Sequence, residues 1–117
     1  MSISLDMDQE LALFIENYVD SFVKWDVVAF FCLNPETTGT AIDIASRLGR
    51  KEADVSEALE ELVQKGLLKK RKNNDVIYSY DPGNELARQV KLFADCIGDR
   101  DKRLKILAKI LRMKTGR

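Results

Sequence analysis

The sequence predicts a mostly α fold with a small β hairpin, on three observations. Between residues 40 and 66, apolar residues recur at threes and fours in two short runs, the first stopped by Gly49 and the second by Gly66. After Gly66 the apolar period shortens to two around Asn73-Asn74-Asp75, residues that tolerate the positive φ angles of a hairpin turn. Further helical stripes lie on either side. With 45% apolar and 32% charged residues, the 117 positions suit a single globular domain, residues 1–117.

In chain order, Asp8 opens a stripe of Leu11, Phe14, Ile15, Tyr18, Val19, Phe22 and Val23, with Asp6, Glu10, Glu16, Asn17 and Asp20 on the opposite face. This N-terminal helix, within residues 1–23, needs a cover, from its own subunit or from another copy. Trp25 to Leu33 is the densest apolar run and reads as a helix buried on most sides, with Trp25 in the core or an interface. Asn34-Pro35 ends it, because proline disfavours helical geometry in the residue before it. The loop Glu36-Thr37-Thr38-Gly39 leads to a short helix with Ala41, Ile44, Ala45 and Leu48 on one face. Thr40 and Asp43 have capping-box spacing, with Asp in place of Glu.

Val55, Leu59, Leu62 and Val63 define the next helix, and Gly66 sits where helices commonly exit through a left-handed residue. Past the hairpin, Pro82-Gly83 breaks the chain and Asn84 is the expected N-cap of a helix carrying Leu86, Ala87, Val90, Phe93, Ala94 and Ile97. After Gly98, Asp99 caps a last helix. It has Leu104, Leu107, Ala108 and Leu111 on one face, widened by Ile106, Ile110 and Met113. Helix, turn, helix and two-stranded ribbon over residues 24–81 is the order of a winged helix-turn-helix, here flanked by the N-terminal helix and by C-terminal helices over 84–117.

Four features resemble the winged-helix transcription regulators of the MarR and ArsR type: Ile44-Ala45-x-x-Leu48-Gly49, Val55-Ser56-x-Ala58-Leu59-x-x-Leu62, the Lys65-Gly66-Leu67-Leu68 exit and the basic stretch after it. The resemblance covers roughly Val23 to Asp81. Such domains place the second motif helix in the major groove and the wing beside the backbone, so the resemblance implies a regulator that binds double-stranded DNA. The residues it brings forward are Lys51 and Ser56 on that helix, Lys69, Lys70, Arg71 and Lys72 on the wing, and Arg47, Arg50, Asn73 and Asn74 as neighbours. In many regulators of this kind the terminal helices dimerise, so a homodimer is expected.

Charge is unevenly placed. The net charge is zero, yet residues 1–23 hold five acids and no base, residues 24–97 eleven bases and twelve acids, and residues 98–117 eight bases and two acids. The four-base wing run alternates, with Lys70 and Lys72 on one side of the ribbon and Lys69 and Arg71 on the other. Protection of a sheet edge by lysine accounts for one or two such bases and less well for four, so phosphate contact is the better reading. Tyr78 and Tyr80 share a side and read as the packing face of the wing.

The helix from Lys51 to Lys65 complicates this. Its outer face holds Lys51, Glu52, Ala53, Asp54, Ser56, Glu57, Glu60, Glu61 and Gln64, and five of these are acids that oppose phosphate. Glu52 and Asp54 suit the positive end of the helix dipole, and Glu61 with Lys65 has the spacing of an i, i+4 pair. Two readings therefore stay open: a DNA-binding transcription regulator, or a winged-helix module docking a protein partner through the acidic helix. The basic tail Arg100, Lys102, Arg103, Lys105, Lys109, Arg112, Lys114 and Arg117 fits the solvated face of a dimer helix, a second phosphate surface or a lipid-attracted helix, in that order.

Enzymatic chemistry has no support. The chain has no histidine, no Gly-rich phosphate loop and no paired-cysteine metal spacing, so no catalytic residue, metal or cofactor is expected. Cys32 and Cys96 each sit in an apolar helical pattern and read as small buried core residues. No apolar stretch approaches the roughly 20 residues of a membrane span and the start lacks a signal-peptide pattern, so a soluble cytoplasmic protein is expected.

Overall fold

A computed structural model describes residues 8–115. Asp6 and Arg117, which the sequence assigns to the outer faces of the first and last helices, lie outside the described residues. The elements run α1 (Gln9–Tyr18), α2 (Phe22–Leu33), β1 (Thr38–Gly39), α3 (Ala41–Leu48), α4 (Glu52–Gln64), β2 (Leu68–Asn73), β3 (Asp75–Tyr80), α5 (Asn84–Ile97) and α6 (Arg100–Thr115).

Asp8 caps α1, its carboxylate accepting from the N–H groups of Glu10 and Leu11 at 2.8 and 3.3 Å. The helix stops earlier than the stripe predicts. Val19 leaves helical geometry and the Ser21 hydroxyl accepts from the Lys24 N–H at 3.1 Å, so Phe22 and Val23 open α2 instead of closing α1. A capping serine next to Asp20 outweighs the unbroken apolar period. The Thr40 and Asp43 capping box forms with bonds of 3.1 and 3.3 Å, and Gly49 ends α3 at φ 68°. The expected cap of α5 moves by one residue: Gly83 is the N-cap and Asn84 is already helical, with no side-chain cap bond. Asp99 caps α6 as expected, accepting from the Lys102 N–H at 3.1 Å.

The sheet has three strands where the sequence predicts two. Its order is β1-β3-β2, all antiparallel. Thr38 and Gly39, in the segment expected to be loop, pair with Ser79 and Tyr78 on the free edge of β3. β2 and β3 are joined through Asn74 at φ 70°, the residue type that enters this region at least cost.

One core runs through the molecule. Val27, Val28 and Phe31 of α2, Ile44 and Ala45 of α3, and Val55, Ala58, Leu59 and Leu62 of α4 are buried, as are Leu67 and Leu68 after α4. Each such larger side chain contributes about 1.5–3 kcal/mol on leaving water. Aromatic rings fasten the terminal helices to this core. Phe93 of α5 is fully buried, with its ring centroid 5.5 Å from Phe14 of α1 and 5.5 Å from Trp25 of α2. Charge also joins the ends within the subunit, through Arg88 to Glu10 at 2.7 Å and Lys109 to Glu16 at 2.9 Å.

Two expectations are corrected here. In α6 the fully buried side chains are Ile106 and Ile110, with Met113 packed against the core, whereas Leu104 and Leu111 remain 50% and 54% exposed. The predicted main face is thus the outer one. Cys32 and Cys96 are half-buried and free, not fully enclosed. Burial still pushes the Cys32 thiol up to about 12, which leaves it a protonated space-filler. Among the described residues no helix is long and apolar enough to cross a membrane, and no group of His, Cys, Asp or Glu is arranged to hold a metal.

Candidate nucleic-acid interface

The residues brought forward by the sequence occupy α3, α4 and the β2–β3 hairpin, but the structure divides them by what they touch. Arg47 is exposed on α3, its guanidinium 5.9 Å from the centroid of the Phe30 ring. Arg50, between α3 and α4, is half-buried and ion-paired to Asp26 of α2. Lys51 stands exposed at the N-cap position of α4 without a side-chain cap bond, and Ser56 is half-buried one turn further on.

The hairpin register gives the four wing bases different tasks. Lys70 lies opposite Tyr78 and Lys72 opposite Val76, on the side that carries Leu68 and Tyr80; Lys69 and Arg71 oppose Ser79 and Ile77 on the other side. At the base of the wing each lysine has a carboxylate. Lys69 pairs with Asp81 at 3.2 Å and Lys70 with Glu60 of α4 at 2.7 Å. At the tip Arg71, Lys72, Asn73 and Asn74 are exposed, and Arg71 and Lys72 have no ion pair among the described residues.

The acidic face of α4 proves to be partly neutralised by the protein itself. Glu60 accepts from Lys70 through one carboxylate oxygen and from the Tyr78 hydroxyl through the other. The Lys70 ammonium, together with that hydroxyl, holds the Glu60 carboxyl below its ordinary 4.5. Burial, helped by the same carboxylate, pushes Tyr78 up to about 12, so its hydroxyl stays a donor. Glu61 does not form the expected pair with Lys65. It is bound by Lys24 of α2, which also holds Asp20 at 2.9 Å, while Lys65 donates to the Asn17 carbonyl and stands over Tyr18.

Lys24 ties α2 to α4, a role that no local pattern in the sequence marks. It is 8% exposed, yet charged, because it meets two acids at once. Burial lowers its affinity for the proton, but the bonds and charges of Glu61 and Asp20 outweigh this and raise its pKa above 10.5. Asp54 and Glu57 line an open pocket with Lys24, Glu61 and Lys114 of α6. No signal within α4 could have revealed these cations, since they arrive from α2, β2 and α6.

The comparisons agree with this geometry. The solved structure of HlyU from Vibrio cholerae superposes with a TM-score of 0.55 at 19% identity, over 74% of this chain and 94% of that one, and so shares the fold. No curated protein matches the chain. The model of one family, described as "Sugar-specific transcriptional regulator TrmB", matches residues 22–82, from the start of α2 to just past the hairpin. With more than half of its length matched, the winged-helix resemblance read from residues 44–72 becomes a family assignment: the chain belongs to the TrmB family of transcription regulators.

Proposed function

We propose that this protein is a homodimeric regulator that binds double-stranded DNA, with α4 directed to the major groove and the wing tip on the phosphate backbone. The observation that carries the reading is the division of charge along the wing: the bases at its root are matched by Asp81 and Glu60, whereas Arg71 and Lys72 toward its tip are exposed and, among the described residues, make no ion pair, although Asp75 also lies at the tip. Exposed bases with no ion pair among the described residues are chemistry for phosphate oxygens. Arg47 and Lys51, both exposed, extend this surface along α3 and the start of α4. Arg50 and Lys70, held by Asp26 and Glu60, support its shape.

The second copy belongs on α6. Its outer stripe of Leu104, Leu107, Ala108 and Leu111 repeats at threes and fours, and half of the Leu104 and Leu111 surface faces water.

Binding to a random-sequence duplex, followed by anisotropy between 50 and 300 mM salt, tests the DNA reading at roughly these concentrations. Affinity is expected to fall steeply with salt, and Arg71→Ala with Lys72→Ala to weaken binding at every sequence and reduce the log–log salt slope by about 2. A flat or undetectable isotherm at low salt favours the rival reading, a protein partner docking on Glu52, Asp54 and Glu57 of α4.

A further inference from the structure

We infer that Glu60, an acid on the groove-directed helix, is the positioning residue that sets the pose of the wing, so that its carboxylate assists DNA binding although its charge opposes it. The inference rests on the DNA reading above for its functional half and on geometry alone for its structural half.

Lys70 and Tyr78 face each other across the two wing strands. Each sends one polar atom to the same carboxylate, Lys70 Nζ to Oε1 at 2.7 Å and the Tyr78 hydroxyl to Oε2, so one α4 side chain grips both strands at a single level. The opposite edge of β3 is held at that level too, where Tyr78 pairs with Gly39 of β1. Further out burial holds the hairpin weakly and on one strand, through Val76 of β3, which is partly buried against the core. β2 is exposed from Lys69 to its end, and Tyr78 is the buried residue of β3. The Glu60 level is therefore the outermost at which a side chain from α4 grips both strands, and the segment carrying Arg71 and Lys72 is the lever.

The lever is long enough for small tilts to matter. Lys70 to the Asn74 turn spans about 13 Å at roughly 3.3 Å per residue, so a tilt of about 10° moves the tip by about 2 Å. A charged hydrogen bond to phosphate does not survive a displacement of that size. The remaining acids of α4 act differently. Glu57 is exposed and has no ion pair among the described residues, so it brings repulsion without a compensating contact.

Three variants separate positioning from charge. Glu60→Gln keeps an oxygen to accept from Lys70 and an amide to donate to the Tyr78 oxygen, whereas Glu60→Ala keeps neither. Glu57→Gln is the charge control. On a random duplex at low salt, Glu57→Gln and Glu60→Gln are expected to bind about two- to threefold tighter than wild type, and Glu60→Ala about threefold weaker despite the same loss of negative charge. Amide exchange from Arg71 to Ile77, read by NMR on the free protein, is expected to quicken about tenfold in Glu60→Ala and to stay near wild type in Glu60→Gln. Equal gains in affinity for the alanine and glutamine variants, with unchanged exchange at the tip, would overturn the proposal. Should the wild type bind no duplex at low salt, the DNA reading fails, and the exchange data alone decide whether Glu60 holds the wing: quickening in the alanine variant supports it and no change overturns it.

Discussion

Helices α4 and α6, amphipathic segments of 13 and 16 residues, reach opposite ends by the same physics. α4 has one apolar face and buries it: Val55, Ala58, Leu59 and Leu62 are covered, while two of its five acids, Glu60 and Glu61, are met by Lys70 and Lys24. α6 has two apolar faces and the subunit covers one of them. Ile106 and Ile110 are enclosed and Leu104 and Leu111 are not. A helix whose apolar arc exceeds what one neighbour can cover keeps a second surface for another molecule. The apolar face of α4 is covered inside the chain, and the outer face of α6 is the one assigned above to a second copy.

The largest expected effect breaks this comparison at its apolar end. Leu59→Ala, at a fully buried site, should cost about 3 kcal/mol in urea unfolding, whereas Leu104→Ala should cost less than about 0.5 kcal/mol at a concentration low enough to keep the chain monomeric. Leu104→Glu should leave the monomer folded and remove the dimer in sedimentation velocity; wild type that sediments only as monomer at tens of micromolar protein would refute the use assigned to α6. Next in size is the α2–α4 ion group. Lys24→Met leaves Asp20 and Glu61 facing each other without a cation, and a loss of about 1–2 kcal/mol is expected, discounted because both carboxylates are themselves about two-fifths exposed. An unchanged urea midpoint would show that Lys24 contributes packing alone.

The smallest effect sharpens the comparison through pH. Glu60 has its folded pKa below 4.5, so its contribution is present above 4.5 and is lost as pH falls through the folded value. The stability difference between wild type and Glu60→Gln, read as urea midpoints, should therefore shrink as pH falls through that value, and a difference that does not change with pH would show that the Glu60 charge contributes nothing. Lys24 runs the other way. Its folded pKa is raised above 10.5, so what it contributes is full below 10.5 and is lost as pH rises through the folded value.

Much of the fold was legible because its signals are local. The Thr40–Asp43 box, Gly49, the Asn74 turn and the strand alternation after Gly66 are each decided within a few residues, and each formed where it was expected. Misreadings arose where two local signals competed. An apolar stripe continuous from Leu11 to Val23 hid the Ser21 cap, and in α6 two stripes overlapped on one wheel, so the sequence could not say which would face inward. The candidate interface was harder still. The sequence offers candidate residues but not their division into anchors and exposed side chains, because Asp26 reaches Arg50 from 24 positions away and Glu60 reaches Lys70 from 10.

By itself the sequence determined the order of helix, turn, helix and wing, the family to which that order belongs and the supply of bases at the hairpin, since periodicity, caps and turn residues act over a few positions. Tertiary structure alone decided which charges are cancelled and which stay available: Lys24, Arg50 and Lys70 are paired with acids from other elements, and Arg71 and Lys72 remain on the exposed tip. The reason is physical. An ion pair needs two groups within about 4 Å, and no spacing along a chain fixes that distance between separate elements until the core has closed.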